Sequence, residues 1–210
     1  MSNLPIIITI GREFGSGGHE IGKLISEQHS IPLYDSELLA LSAVDSGLSR
    51  EVIHRYDEKN SITPFSFPAD STIQFGGLTP IDLQLSIQQR VFLAQFDTIL
   101  KLAQDGSCVF VGRCSNYILK DMANVFNVFL YASLESRIER IMTLNKLTHD
   151  QAKALIRKMD KQRKNYYNFC ADGNWGKYSS YDAMLCTDNM DYNTLASLIH
   201  SLAQSRRVAL

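Results

Sequence analysis

The stretch PIIITIGREFGSGGHEIGKL, Pro5 to Leu24, decides how the rest of the chain is read. Pro5–Ile10 is a β-branched run with no polar alternation, as a strand buried on both faces requires. A turn holding four glycines follows, and Ile21, Leu24 and Ile25 then recur at helical spacing over residues 17–29. A strand running through a glycine turn into a helix is how a chain builds a phosphate cradle. Backbone amides converge on the anion, and the helix N-terminus adds its dipole. Counted from Gly11, the loop is one residue longer than G-x-x-x-x-G-K-[ST]. Gly18 stands where that pattern has its lysine, and His19 where it has the metal-binding hydroxyl.

The missing charge has to be borrowed. Arg12 lies in the loop and can reach inward, whereas Lys23 is too far down the helix. Magnesium takes oxygen ligands, so Ser16, Glu20 or Asp35 through water are its candidates, and imidazole is a poor one. His19 is left to hydrogen-bond a phosphate or to cap the helix. A rival pattern, G-x-G-x-x-G of dinucleotide folds, begins at Gly15 and Gly17 and finds an acidic residue at Asp35. Its third glycine is Glu20, a carboxylate set close to the pyrophosphate it should accommodate.

Outward from this loop, strand and helix patterns alternate. Ile31–Asp35 reads as a second strand, and helical patterns occupy 36–46 and 49–58. Residues 58–80 hold prolines and glycines with no period, a long loop of the functional or mobile kind. Helix resumes over 81–104. A strand at Ser107–Gly112, a short helix at 114–121, a strand at Val125–Ala132 and helices near 134–145 and 148–168 follow. A second loop, a strand at Asp182–Thr187 and a closing helix over 191–205 complete the chain. Strands each followed by helices imply an α/β fold with a five-stranded parallel sheet and helices on both faces. Ligands in such sheets bind beyond the carboxyl ends of the strands, which marks Gly11–His19, Asp35, Gly112–Arg113 and Ala132–Arg140.

Bulk properties agree with one soluble domain carrying an insertion. Of 210 residues, 45% are hydrophobic and 20% charged, and 21 basic against 22 acidic residues leave a net charge of −1. Neither a general nucleic-acid surface nor a membrane surface is implied, so any anion site comes from local clustering. The four cysteines (Cys108, Cys114, Cys170, Cys186) are far apart, which reads as a reduced, cytoplasmic protein without a metal motif. The apolar run at the start is too short for a signal peptide or a membrane span.

The segments ITIGREFGSGGHEIGKLI, IPLYDSELL, CVFVGRCSNYIL, VFLYASLESRIERI and YDAMLCTDNMDYNTLASLI occur in the order found in nucleoside monophosphate kinases. Together they resemble the cytidylate kinase-like family, in its branch with a GREFGSGG-type loop. The resemblance spans nearly the whole chain and is weakest over 45–100. It implies a single P-loop kinase domain over 1–210. The core is at about 1–35 and 101–210, an acceptor-side insertion at about 36–100 and a helical lid at about 145–181. It implies ATP and Mg²⁺ as cofactors and a small-molecule nucleotide as substrate, phosphorylated on CMP or a related acceptor. By position, Gly15, Ser16, Gly17, Gly18 and His19 match the donor-phosphate loop. Asp35 and Ser36 begin the acceptor region, and Arg113 matches the arginine that holds the acceptor phosphate. Arg137 and Arg140 fall where an arginine lies over the donor base, and Asp160, Arg163 and Lys164 on the lid helix.

Phosphoryl transfer asks for positioning and for cations on the equatorial oxygens, which suits arginine. Arg12, Arg113 and Arg163 are therefore the catalytic candidates. Trp175, with Tyr166, Tyr167, Tyr178 and Tyr181, either stacks a base or packs a lid. Two other functions stay open: a nucleotide-binding regulator without kinase activity, and a nicotinamide-dependent oxidoreductase. A homodimer through 81–104 or 58–80 is also left open.

Overall fold

The computed structural model describes residues 5–35, 87–171 and 173–206. Ser36, the two helices expected within 36–58, the 58–80 loop and the start of the helix expected from 81 lie outside the described residues.

Five strands form one sheet: β1 (Ile7–Arg12), β2 (Leu33–Tyr34), β3 (Cys108–Val111), β4 (Val125–Tyr131) and β5 (Ala183–Cys186). Every pairing is parallel, in the order β2-β3-β1-β4-β5. β1 is thus central, paired from Ile7 opposite Cys108 on one side and from Ile7 opposite Val125 on the other. Its residues are sealed on both faces, and alternate side chains join different cores. Ile8 and Ile10 pack with Val109, Val128 and Leu130 against α1 (Gly18–His29) and the last helix, α6 (Tyr192–Ser205). Ile7 faces the other way, with Cys108, Phe110 and Val125, against α2 (Ile87–Gln104) and the short α3 (Ser115–Ile118). The absence of polar alternation in β1 follows from this double burial. The one polar residue sealed within it, Thr9, donates to Asn127 Oδ1 at 2.6 Å.

Two more helices, α4 (Leu134–Asn145) and α5 (His149–Cys170), form a separate layer. Ile138, Ile141, Ala152 and Ile156 pack between them, and Phe14 from the glycine loop is wedged against this cluster. α5 opens with a reciprocal capping box, Thr148 with Gln151, and α4 and α6 with Ser133 and Asp191 side chains on their first turns.

Most expected boundaries move by a residue or two. The short helix expected over 114–121 contracts to Ser115–Ile118: the left-handed φ of 55° at Cys114 sets its start, and Leu119, at φ −97° and ψ 12°, leaves helical geometry at its end. The second strand contracts to Leu33–Tyr34, the only residues there that pair with β3. None of the described helices is long and apolar enough to cross a membrane.

Candidate active site

The glycine loop leaves β1 at its carboxyl end and enters α1 through Gly17. Gly15 and Gly17 have φ of 88° and 81°, a region costly for any side chain, so glycine is dictated at both. Ser16 between them is fully buried, and its hydroxyl donates toward the carbonyls of Glu13 (2.9 Å) and Leu130 (3.1 Å). α1 starts at a glycine N-cap with no side-chain hydrogen bond, unlike α4, α5 and α6. Its first amides are therefore left for water or an anion.

α5 holds the loop from outside. Asp160 accepts from the Phe14 amide at 2.7 Å and from Arg137 Nη1 at 2.6 Å. Arg137 also donates to the Phe14 carbonyl and lies 3.5 Å from Glu13. Arg163 Nη1 donates to the Arg12 carbonyl at 3.2 Å, and its guanidinium sits over the Phe14 ring, 5.4 Å from the centroid. Glu13 completes the clamp by accepting from the Ala132 amide. Burial pushes its carboxyl above the usual range, against the opposing pull of Arg137.

A cleft of about 310 Å³ opens beyond β1 and β3. Gly11, Arg12, Gly112, Cys114, Ser115 and Asn116 form its strand-end wall, and Arg163, Tyr166, Tyr167, Trp175 and Tyr181 the wall from α5 and the loop after it. Asn116 donates to the Tyr167 hydroxyl at 3.0 Å, tying one wall to the other. Trp175 and Tyr181 pack edge-on and tilted against Phe129, with ring centroids 5.5 and 5.0 Å away, and burial raises the Tyr181 pKa. Of the five aromatics singled out from sequence, only Tyr178 stands apart, 77% exposed.

The other candidates are distributed as follows. Arg113 is fully buried; its chain neighbours line the cleft, but it does not. Its guanidinium is enclosed rather than open at the ligand edge, at a turn where Arg113 and Cys114 both take left-handed φ values. Arg137 is likewise enclosed, held by Asp160, Glu13 and Phe14 rather than lying open to a base. Arg140 pairs with Glu20 and covers the Tyr192 ring at 5.2 Å. His19 is exposed and its Nδ1 lies 3.4 Å from Asp35, joining α1 to the end of β2; the N-cap itself is Gly17. Lys164 is exposed and outside the cleft lining.

Among the metal candidates, Ser16 does not fit, since its oxygen is buried and turned to two carbonyls. Asp35 and Glu20 offer the carboxylates that magnesium takes alongside water and substrate phosphates. Among the described residues, no cluster of three or more His, Cys, Asp or Glu is gathered to hold an ion.

Glu13, Phe14 and Tyr192 were missed as site residues in the sequence. Glu13 had a signal, a carboxylate inside a glycine turn. Tyr192 had none, because it meets the loop only across the folded chain: a Cβ at Gly17 would lie 2.5 Å from its ring.

The model of the cytidylate kinase-like family matches residues 7–189. Among curated proteins, none matches significantly. Among solved structures, an uncharacterized protein from Eubacterium ventriosum ATCC 27560 is 30% identical, with a TM-score of 0.71, covering 96% of this chain and 99% of that one. A shikimate kinase from Acinetobacter baumannii, in complex with shikimate, is 16% identical at TM-score 0.53, covering 99% and 97%. A gluconokinase from Sinorhizobium meliloti 1021 is 14% identical at 0.55, covering 98% and 95%. The last two share the P-loop kinase fold with this chain. Sheet order, glycine loop and family match converge: the chain belongs to the cytidylate kinase-like family.

Proposed function

We propose that the protein is an ATP- and Mg²⁺-dependent phosphotransferase acting on a nucleoside monophosphate such as CMP or on a related small acceptor. The observation that carries this reading is one juxtaposition. A glycine loop with Gly15 and Gly17 in left-handed conformation enters an uncapped helix, beside a cleft lined by Arg12 and Arg163.

In this reading the amides of Gly15–His19 and the α1 dipole hold the donor phosphates. Arg140 and Tyr192 bound the donor-base side, and the cleft takes the acceptor. An acceptor oxygen attacks the γ-phosphorus in line as the bond to the β-phosphate oxygen breaks, and ADP leaves. Arg12 and Arg163 neutralise the charge spread over the equatorial oxygens. Arg113, buried between the cleft-lining Gly112 and Cys114, belongs to the acceptor-phosphate side. Asp160 and Arg137 keep the loop and the lid helix in one arrangement. Asp35 and Ser36 belong to the acceptor side, and Lys164 to the rim of the lid. Mg²⁺, held through Asp35 or Glu20 and water, would supply further charge neutralisation on the phosphates.

A regulator that binds nucleotide without turnover remains the second reading. The commitment of Ser16 to two carbonyls and of Glu20 to Arg140 favours it. The nicotinamide reading loses support, since the order β2-β3-β1-β4-β5 is not the 3-2-1-4-5 order of dinucleotide folds.

The test is ADP release from ATP and Mg²⁺ against a panel of nucleoside monophosphates, with shikimate and gluconate as hydroxyl acceptors. Acceptor-dependent turnover by the wild type, lowered about 100-fold or more in Arg163→Ala and in Arg113→Ala, is expected. ATP binding without turnover for every acceptor would support the regulator instead. Failure to bind ATP would remove both.

A further inference from the structure

Three of the loop's four glycines answer to two different constraints. Gly15 and Gly17 need glycine for their backbone conformation, but Gly18 does not: its φ is not left-handed, and it is the first residue of α1. Glycine is among the poorest helix formers, so its presence there needs another reason. The reason is Arg12. A Cβ built on Gly18 would lie 2.8 Å from Arg12 Cβ, 2.9 Å from its Cγ and 3.6 Å from its Cδ, and nothing else comes nearer than that last distance. Two Cβ atoms do not approach to 2.8 Å, so of positions 12 and 18 only one can carry a side chain.

That exclusion changes how the loop is counted. Measured from position 12, Arg12-Glu13-Phe14-Gly15-Ser16-Gly17-Gly18 has the length of G-x-x-x-x-G-K, with no extra residue. The first position holds a cation where the pattern has glycine, and the last holds glycine where the pattern has a cation. We propose that the two positions have exchanged roles. Arg12 supplies, from the end of β1, the phosphate-facing charge that the pattern places on the helix, and Gly18 is bare so that the arginine stem can cross it. The donor-phosphate part rests on the phosphotransferase reading above, whereas the mutual exclusion of the two side chains does not.

The exchange also fits what surrounds it. Arg12 lines the cleft, and its carbonyl is held by Arg163, which fixes the backbone from which the stem departs. A guanidinium binds phosphate oxygens in pairs, where a lysine acts as a point charge.

Two double-mutant cycles test this. In the first, ATP affinity is measured by calorimetry for wild type, Arg12→Gly, Gly18→Lys and the double variant. Arg12→Gly should weaken binding about 10- to 100-fold, as loss of a charge-assisted contact does. Gly18→Lys alone should also bind weakly, because its stem collides with Arg12. The double variant, which restores the usual disposition, should recover most of the loss from Arg12→Gly. In the second cycle, melting temperatures are measured without ligand. Gly18→Ala should lower the melting temperature in the wild-type background and raise it in Arg12→Gly, where alanine meets no obstacle and is the better helix former.

Binding by Arg12→Gly equal to wild type, or a double variant no tighter than Arg12→Gly, overturns the transferred charge. A Gly18→Ala effect of the same sign in both backgrounds overturns the exclusion. If the wild type binds no ATP, the phosphotransferase reading falls and the charge transfer with it, while the melting cycle still decides the exclusion.

Discussion

Asp160 shows how one residue fixes the relation between α5 and the glycine loop. Its carboxylate takes one hydrogen bond from the Phe14 amide and one from Arg137, whose guanidinium is only 9% exposed. Removing the acid leaves both donors without it, and a buried guanidinium that loses its main partner is expensive. Asp160→Ala should lower unfolding free energy by about 3 kcal/mol in urea titrations. A loss below about 1 kcal/mol, the size of a surface pair, would show that the clamp is not structural. Ser16 makes a related point. From sequence it reads as a metal ligand; in the fold its hydroxyl stitches the loop to itself and to the end of β4 through Leu130.

Between elements, α1 and α6 meet through a pair of histidines. The rings of His29 and His200 stack with centroids 3.4 Å apart at 9°, in the last turn of one helix and the buried face of the other. Burial first, and the neighbouring His29 second, hold the His200 pKa below its ordinary 6.5. α6 carries no other acid or basic side chain, and on α1 the nearby Glu27 is paired with Lys23. The unfolded chain thus binds a proton at a higher pH than the folded one. Stability from neutral His200 is complete above pH 6.5 and falls as pH drops from there through the lower folded value. His200→Phe should flatten the fall in melting temperature between about pH 7.5 and 5 relative to wild type. Parallel pH profiles for the two proteins would show that the stack does not titrate within the fold. Since α1 begins at the glycine loop and Tyr192 at the head of α6 covers Gly17, this contact braces both helices that flank the glycine loop.

At the scale of the molecule, the site is assembled from three layers: the sheet, the α1–α6 face and the α4–α5 pair. A ligand held by the loop and α5 together stabilises all of them through binding linkage. ATP at 100 times its dissociation constant should add about 2.7 kcal/mol and raise the melting temperature by about 5–10 °C for a chain of this size. No shift at saturating ATP and Mg²⁺ would count against a donor site on this loop. The order of strands matters to the same argument. With β3 and β4 on either side of β1, the crevice beyond the strand ends falls where Gly11–His19 and Gly112–Asn116 emerge.

Much of this was legible in the residues themselves. β1 announced itself because a strand buried on both faces has no room for polar alternation, and the alternation of helix and strand fixed a parallel sheet. The glycine loop was readable as a tight strand-to-helix turn, and Gly15 and Gly17 take the left-handed backbone angles that favour glycine. The residues alone thus specified local features: period, turn chemistry and the order of elements. Which arginine faces the cleft was settled by folding. Arg12 and Arg163 line it while Arg113 and Arg137 are enclosed, the latter captured by Asp160. Tertiary structure alone also explains Gly18. Its reason lies in a side chain six positions earlier that the folded loop carries across it, and no spacing rule records a contact made by closure of the chain.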